Sequence, residues 1–378
     1  HGIKNPFYYL ASPITKDDSF FNQIHPVTAS SIAFSLYLSK FSKKQDKLII
    51  AVPSVFSPQA RHALIESLKL LNISSTQLID SNSAVAAIYA IERLKKLTGN
   101  ETTMTQKIVF IDIGAVQTEV SYWNFTRIGN LTQISLIDYS YSDEIGGEII
   151  DEYLLKYILD QLPRQPTRAE MASIVRSMKK AKERLASGSN QFIDLYEDFQ
   201  QRFEISNEVI DNISQSVNQK LNDLIQKVAL NNQDNLPDDI ELIGGSTRLP
   251  SFHKIIQSAF PNYTLHRSLN SDEAVALGAA YYSSLQTGTI AGSRLEFIKP
   301  AIYGLNIVVD KKVYNLYQTG DVTDRKSMKM KKFKDFNFTM TVSKGDLEQC
   351  PNLSIISTVF DKTPEDFLHV EIKDLTKL

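Results

Sequence analysis

Leu242-Ile243-Gly244-Gly245-Ser246-Thr247-Arg248-Leu249-Pro250 joins a short apolar strand to a helix through two glycines, a serine and an arginine. Glycine lets a backbone approach an anion closely, and the helix that follows offers unpaired N–H groups and a positive dipole end. Two further glycine turns share this context. Asp112-Ile113-Gly114 closes the strong strand Lys107–Asp112, and Gly146-Gly147 stands immediately before a helix beginning near Glu148. A carboxylate at a strand end, as at Asp112, suits a magnesium ion held through water. Taken singly, each turn is a tight cap as readily as a phosphate cradle. Three of them at strand–helix junctions favour nucleotide binding without naming a fold.

Outward from these turns the pattern alternates. Lys47–Ala51 and Gln77–Ile79 read as short strands around a helix over Ser57–Leu71, whose apolar residues Ala60, Leu64, Leu68 and Leu71 fall at helical spacing. An Ala-rich helix follows over Ser83–Leu97, then a polar surface loop over Lys95–Gln106. Thr118–Trp123 and Gln133–Tyr139 flank the turn at Gly129-Asn130 as a hairpin. Glu148–Leu162 and Ala169–Leu185 are amphipathic helices, and Asn207–Leu230 reads as one long helix capped by Ser206. Recurrent strand–loop–helix units imply an α/β domain. After Thr287-Gly288 the chain turns to short alternating runs, such as Asn337–Val342 and Leu368–Ile372, the pattern of a β-rich segment.

The 378 residues carry a formal net charge of −2, too little to suggest nucleic acid or an anionic membrane as partner, and no apolar run reaches membrane-spanning length. A single cysteine, Cys350, excludes an internal disulfide framework. The six histidines show no metal-ligand spacing, and no Gly-X-Ser-X-Gly elbow is present. Asn-X-Ser/Thr triplets begin at Asn72, Asn100, Asn124, Asn130, Asn212, Asn262, Asn337 and Asn352. So many acceptors point to a glycosylated, lumenal protein, against the plainer reading that a Ser- and Asn-rich chain produces triplets by composition.

Together with Ser271-Asp272-Glu273-Ala274-Val275-Ala276-Leu277-Gly278-Ala279-Ala280, the opening stretch closely resembles the adenosine-side signature of the seventy-kilodalton heat-shock family. Ala51-Val52-Pro53, Glu144–Glu148 and Ala181-Lys182 with Leu185 follow in the family's order, so the resemblance covers about residues 25 to 285. It implies an actin-like ATPase (ribonuclease-H-like) α/β fold with two lobes. The nucleotide-binding domain would occupy residues 1–286, a linker 287–294, and a partial β-sandwich-like domain 295–378. It also implies ATP or ADP with Mg2+ as ligands. Gly244, Gly245, Ser246, Arg248 and Asp272 match adenosine-contacting places, with Lys182 on the helix that closes over the base. Gly114, Gly146 and Gly147 match phosphate-side turns, and Asp112 would orient magnesium through water. Arg248 would stack its guanidinium plane on adenine, a role lysine fills less well.

Departures from the family pattern bear on the chemistry. The family's Asp-hydrophobic-Gly-Gly-Gly-Thr loop is here Asp112-Ile113-Gly114-Ala115-Val116-Gln117, where valine restricts positive φ and adds bulk near a phosphate oxygen. Ser81 replaces the glutamate that helps organise magnesium and water, and Lys179, Glu183 and Ala186 replace residues of the base-binding helix. Both changes on the phosphate side argue against fast hydrolysis. Asn82 in place of proline resembles the large branches of the family, the lumenal hundred-and-seventy-kilodalton branch above all. That branch implies a holdase and nucleotide-exchange factor in the endoplasmic reticulum lumen, with a lumenal seventy-kilodalton chaperone and unfolded polypeptides as partners. The alternatives are an actively hydrolysing chaperone and a metabolite kinase of the actin-like superfamily. The family's first phosphate loop has no counterpart, so the chain is expected to begin roughly a hundred residues into its parent.

Overall fold

The computed structural model describes residues 32–37, 47–56, 58–71, 73, 75–94, 101–186, 188–195, 199–286, 294–299, 305–309, 311–318, 336–342 and 366–372. Expectations for His1–Phe21, most of the linker, Cys350, Asn72, Asn100 and Asn352 lie outside these residues. The chain divides into two compact units, His1–Ser81 with Ile298–Leu378, and Asn82–Phe297.

In the first unit, β1 (Lys47–Val52) and β2 (Ser75–Asp80) pair in parallel, connected by α1 (Pro58–Lys69). Ala60, Leu64 and Leu68 of α1 are all buried, the one-sided stripe expected of a helix packed on a sheet. Asp80 ends β2 between two cations, Arg61 at 2.5 Å and Lys299. Burial opposes its ionisation, but Lys299 and Arg61 outweigh burial and hold its pKa below the usual carboxylate value.

α2 (Ser81–Glu92) carries the chain into the second unit and is apolar on every side, with Ala84 through Ala90 all buried. The central strand, β3 (Thr103–Ile113), pairs antiparallel with β4 (Thr118–Ile128), which pairs with β5 (Leu131–Ser142). Side chains of β3 alternate between two cores. Val109, Ile111 and Ile113 enter the larger one, while Ile108 and Phe110 pack towards α2 with Tyr89, Trp123 and Phe125. A strand covered on both faces reads as the unbroken run Ile108–Ile111. β3 begins at Thr103, so Thr103–Gln106 belong to the sheet and not to the expected surface loop. Their pairing with the far end of β4 overrides their polarity.

α3 (Gly147–Leu159) and α4 (Arg168–Leu185) cover the larger core, α4 starting in a capping box of Thr167 and Glu170. The hairpin of β6 (Gln191–Leu195) and β7 (Gln201–Ile205) went unread in the sequence. Ile193, Leu195, Phe203 and Ile205 face inwards, and the exposed Phe192 beside Ile193 breaks the apolar–polar alternation in this short run. The helix expected over Asn207–Leu230 is two helices, α5 (Asn207–Ile213) and α6 (Gln215–Asn231). Ser206 caps the first, accepting from the Val209 N–H at 3.3 Å. Ser214, wholly buried, breaks the run by returning its hydroxyl to the Ile210 carbonyl at 2.6 Å, a bond that competes with regular helix geometry.

β8 (Asp239–Ile243) then lies parallel to β3, a short 3-10 turn spans Gly245–Arg248, and α7 (Pro250–Ala259), β9 (Leu265–His266) and α8 (Ala274–Gln286) follow. β10 (Arg294–Ile298) completes a six-stranded sheet of order β10-β5-β4-β3-β8-β9. It falls in the stretch read from sequence as β-rich, yet it pairs at the edge of this sheet. The remaining strands, β11 (Leu305–Val309), β12 (Lys312–Tyr317), β13 (Phe336–Val342) and β14 (Asp366–Ile372), form a four-stranded antiparallel sheet of order β12-β11-β13-β14 in the first unit.

α8 crosses α2 with backbone nearly touching backbone. A Cβ on Gly278 would stand 1.9 Å from the Ala84 carbonyl oxygen, so the two helices cannot keep this approach with any side chain there. Gly278→Ala is expected to cost about 3 kcal/mol of stability, at the upper end of overpacking penalties. The midpoint of denaturant unfolding measures it, and an unchanged midpoint would contradict the contact.

Candidate functional site

Parallel strands that end side by side project their following loops from one sheet edge, where α/β sheets bind ligands. β3 and β8 do this, since Asp112 lies opposite Ile243. The Gly114 and Gly244 loops therefore emerge together. Gly244 takes φ +79°, and a Cβ on it would meet the Ile113 carbonyl oxygen at 2.3 Å and Asp112 Oδ1 at 2.6 Å. Only glycine satisfies both the left-handed φ and the close approach.

The third glycine turn closes on the first. The Gly147 N–H donates to the Gly114 carbonyl at 3.1 Å and the Glu148 N–H to the Ala115 carbonyl at 2.7 Å. Ser246 Oγ donates to the same Gly114 carbonyl at 2.8 Å. A Cβ on Gly146 would stand 2.5 Å from the Ala115 carbonyl oxygen. All three turns thus meet at one carbonyl. The Gly147 N–H, in the turn expected from sequence to approach phosphate, is spent on this junction, as is the Glu148 N–H.

The junction floors a cleft of about 500 Å³, within the usual range for small-molecule sites. One wall is the stripe Lys179, Lys182 and Glu183 of α4 with Ala186 just past its end, and the other holds Gly245, Ser246, Arg248 and Asp272. Lys182 Nζ donates to the Gly147 carbonyl at 2.7 Å and lies 2.5 Å from Asp151 Oδ1, while Lys179 is 3.7 Å from Asp151 Oδ2. Arg248 Nη2 meets Asp272 Oδ2 at 3.3 Å, both side chains about half-exposed, so this pair orients the guanidinium more than it stabilises the fold. Gly245 and Ser246 open the 3-10 turn, where the first N–H groups of a helix lack intrahelical partners.

Of the residues expected from sequence, Gly147, Lys182, Gly245, Ser246, Arg248 and Asp272 line this single cleft. Gly114, Gly146 and Gly244 lie behind it as the loop junction. Asp112 sits against Gly244, and desolvation raises its pKa to about 6 although part of its surface stays accessible. Ser81 is the buried first residue of α2 and does not line the cleft. Ala115, not Val116, reaches the cleft. Neither takes positive φ, so the loop has settled in a conformation open to both residues. Asp151 went unnoticed in the sequence. It lies one turn after Gly147 on α3, and that spacing was the available signal.

The family model for the Hsp70 protein matches residues 37–360. The chain belongs to the Hsp70 family. Among curated proteins it is 24% identical over 253 residues to Hypoxia up-regulated protein 1 of Gallus gallus, covering 62% of this chain and 25% of that protein. It is 24% identical over 265 residues to Heat shock protein 110 of Caenorhabditis elegans, covering 65% and 33%. Against Chaperone protein DnaK of Mycoplasmopsis agalactiae the figures are 24% over 282 residues, 70% and 45%. The aligned part of this chain therefore spans between a quarter and a half of each relative's length. Among the described residues no helix is long and apolar enough to cross a membrane.

Raising an acid's pKa on folding means the native state holds its proton longer than the unfolded chain does. With Asp112 at about 6 against an ordinary 3.8, its contribution to stability is complete below about pH 4 and is lost as pH rises through about 6. Asp112→Asn removes this dependence. The variant's melting temperature should match the wild type near pH 4 and exceed it at pH 7.5, as scanning calorimetry at the two pH values will show. An equal difference at both would contradict the desolvated carboxylate.

Proposed function

We propose that this cleft takes the adenosine moiety of ATP or ADP, in a nucleotide-binding domain followed along the chain by a β domain. One observation carries the reading. Gly245, Ser246 and Arg248 of one turn, Asp272 and Lys182, from three stretches of the chain, converge on one cleft beside the Gly114 junction. Arg248 offers its guanidinium plane to the base, and Gly245 with Ser246 contact the sugar from the first turn of the 3-10 helix. Asp112, an acid disfavoured as a bare carboxylate by burial, fits a cation held through water, because a positive charge offsets that desolvation. Mg2+ bound there would screen the phosphates. Gly114, Gly146 and Gly147 hold the floor along which the phosphates run.

At the level of the whole protein, the reading is a lumenal chaperone of the large heat-shock class. It binds unfolded polypeptides as a holdase and promotes nucleotide exchange on a seventy-kilodalton chaperone in the endoplasmic reticulum lumen. Similarity to Hypoxia up-regulated protein 1 and to Heat shock protein 110 supports this branch. Ser81 in place of a carboxylate supports slow hydrolysis, with ATP acting as a conformational ligand through its greater affinity for one state. A hydrolysing chaperone would need another group to do the work of that carboxylate.

Isothermal calorimetry with ATP and ADP on the full gene product tests the site. Binding should weaken about tenfold in Arg248→Ala and less in Arg248→Lys, in keeping with a stacked cation. No binding by the wild type would sink the nucleotide reading. For the exchange role, adding the protein to a lumenal seventy-kilodalton chaperone loaded with fluorescent ADP should speed its release, with turnover of ATP by the protein itself near background. Unchanged release, or rapid turnover, would favour the hydrolysing alternative.

A further inference from the structure

At the opposite end of β8 from the nucleotide cleft, the loop joining α6 to β8 meets the loop joining α7 to β9 around a pocket of about 220 Å³. No residue lines both sites. Val109, Tyr122 and Val228 back the pocket and are buried, so its accessible wall is Ala229, Leu236, Pro237, Ala259, Pro261 and Tyr263, with amide side chains at the edge.

Both loops are held in place. Tyr122 donates its hydroxyl to the Asn235 carbonyl at 2.6 Å. The Lys107 N–H donates to Asp238 Oδ2, and the Asp238 N–H to the Lys107 carbonyl, each at 2.7 Å. These bonds fix the first loop to the sheet. In the second, Gln257 Nε2 donates to the Phe260 and Tyr263 carbonyls at 3.1 Å, and the Phe260 and Tyr263 rings pack edge to face at 6.0 Å. Pro237 and Pro261 each fix one φ angle. A guest therefore meets an ordered wall and loses little entropy in arranging it. On this frame Leu236 stays 62% exposed at the lip of the pocket. An apolar side chain held in water there gains only when something covers it.

Size and charge define what covers it. Small-molecule sites begin at about 300 Å³. At about 220 Å³ this pocket is smaller, on the scale of the single anchoring side chains that dominate protein interfaces. Carboxylates stand around its mouth. Asp138 accepts from Asn232 of the lining, Asp234 follows Gln233, and Asp238 follows Pro237. Asp138 and Asp238 are bound by amide groups, which leave their charge unbalanced. Burial, then the Asp238 carboxylate, raises the pKa of both Tyr122 and Tyr263, so that charge bears on the pocket itself. Of the ammonium groups nearby, Lys107 is held by Asn235 Oδ1 at 2.6 Å, and Lys227 lies off the buried stripe of α6. We propose that this pocket seats one bulky apolar side chain of a partner polypeptide that carries basic residues on either side of it. The anchor displaces water from Leu236, Ala259 and Pro261, and the flanking cations meet Asp234 and Asp238. Those rim charges speed encounter and select the partner more than they add affinity. The inference is independent of the nucleotide reading.

The test takes the full gene product, made in bacteria so that Asn262 carries no sugar, and a glycine–lysine peptide bearing one diazirine analogue of leucine. Irradiation should join the peptide to residues 228–237 or 259–263, as mass mapping of the digest will show. Ala259→Leu, which fills the pocket, and Leu236→Ser, which removes its lip, should each reduce that labelling about tenfold. Leu236 is exposed, so its variant keeps the test sound if Ala259→Leu fails to fold. The same peptide with glutamate for lysine should label about tenfold less at low salt, and the deficit should shrink at high salt. Labelling confined to other regions, equal labelling of wild type and both variants, or equal labelling by the acidic peptide overturns the proposal. If sedimentation shows a dimer that Leu236→Ser dissociates, a second copy covers the pocket and the basic partner is overturned.

Discussion

The carbonyl oxygen of Gly114 is the point on which the site depends. It receives the Gly147 N–H and the Ser246 hydroxyl together, so that three loops meet at one acceptor, Ser246 reaching it across 132 residues of chain. A carbonyl has two lone pairs, and both are used here. The consequence runs outward in three directions. The strand behind Gly114 is β3, the helix beyond Gly147 is α3, and the turn beyond Ser246 leads into α7. Those elements cover or contribute to the larger core. Packing and site geometry are therefore one problem, and glycine is the only residue that allows the loops to come this close.

Much of this was legible in the sequence because the relevant signals are local. A strand buried on both faces announces itself as an apolar run, and Lys107–Asp112 did so. A glycine pair between a strand and a helix is equally plain, as at Gly244-Gly245. What the sequence hid depends on partners far along the chain. The β6–β7 hairpin buries only alternate residues of two five-residue strands, and the exposed Phe192 interrupts the pattern. Ser214 looks like any serine in a helix until its hydroxyl is seen to turn back on Ile210. Asp151 has no distinguishing neighbour in sequence, and its meaning comes from Lys182 on the next helix.

The phosphate side teaches a subtler point. Ala115 and Val116, read against a glycine-rich pattern, suggested a loop under steric pressure. The loop instead relaxes, with Gly114 N–H returning to the Gln117 carbonyl at 2.9 Å and no left-handed residue at either position. Neither residue bears the left-handed φ that would strain a side chain there.

Charge in the cleft has a further consequence. Lys179, Lys182 and Arg248 face Glu148, Asp151, Glu183 and Asp272, three cations against four carboxylates. Lys182, the most enclosed of the cations, is already neutralised by Asp151 at 2.5 Å. The walls hold no standing surplus of positive charge to draw in a polyanion. On the nucleotide reading, such a pocket recruits a polyphosphate as its metal complex, already relieved of part of its charge, and selects its guest by shape and stacking in place of long-range attraction.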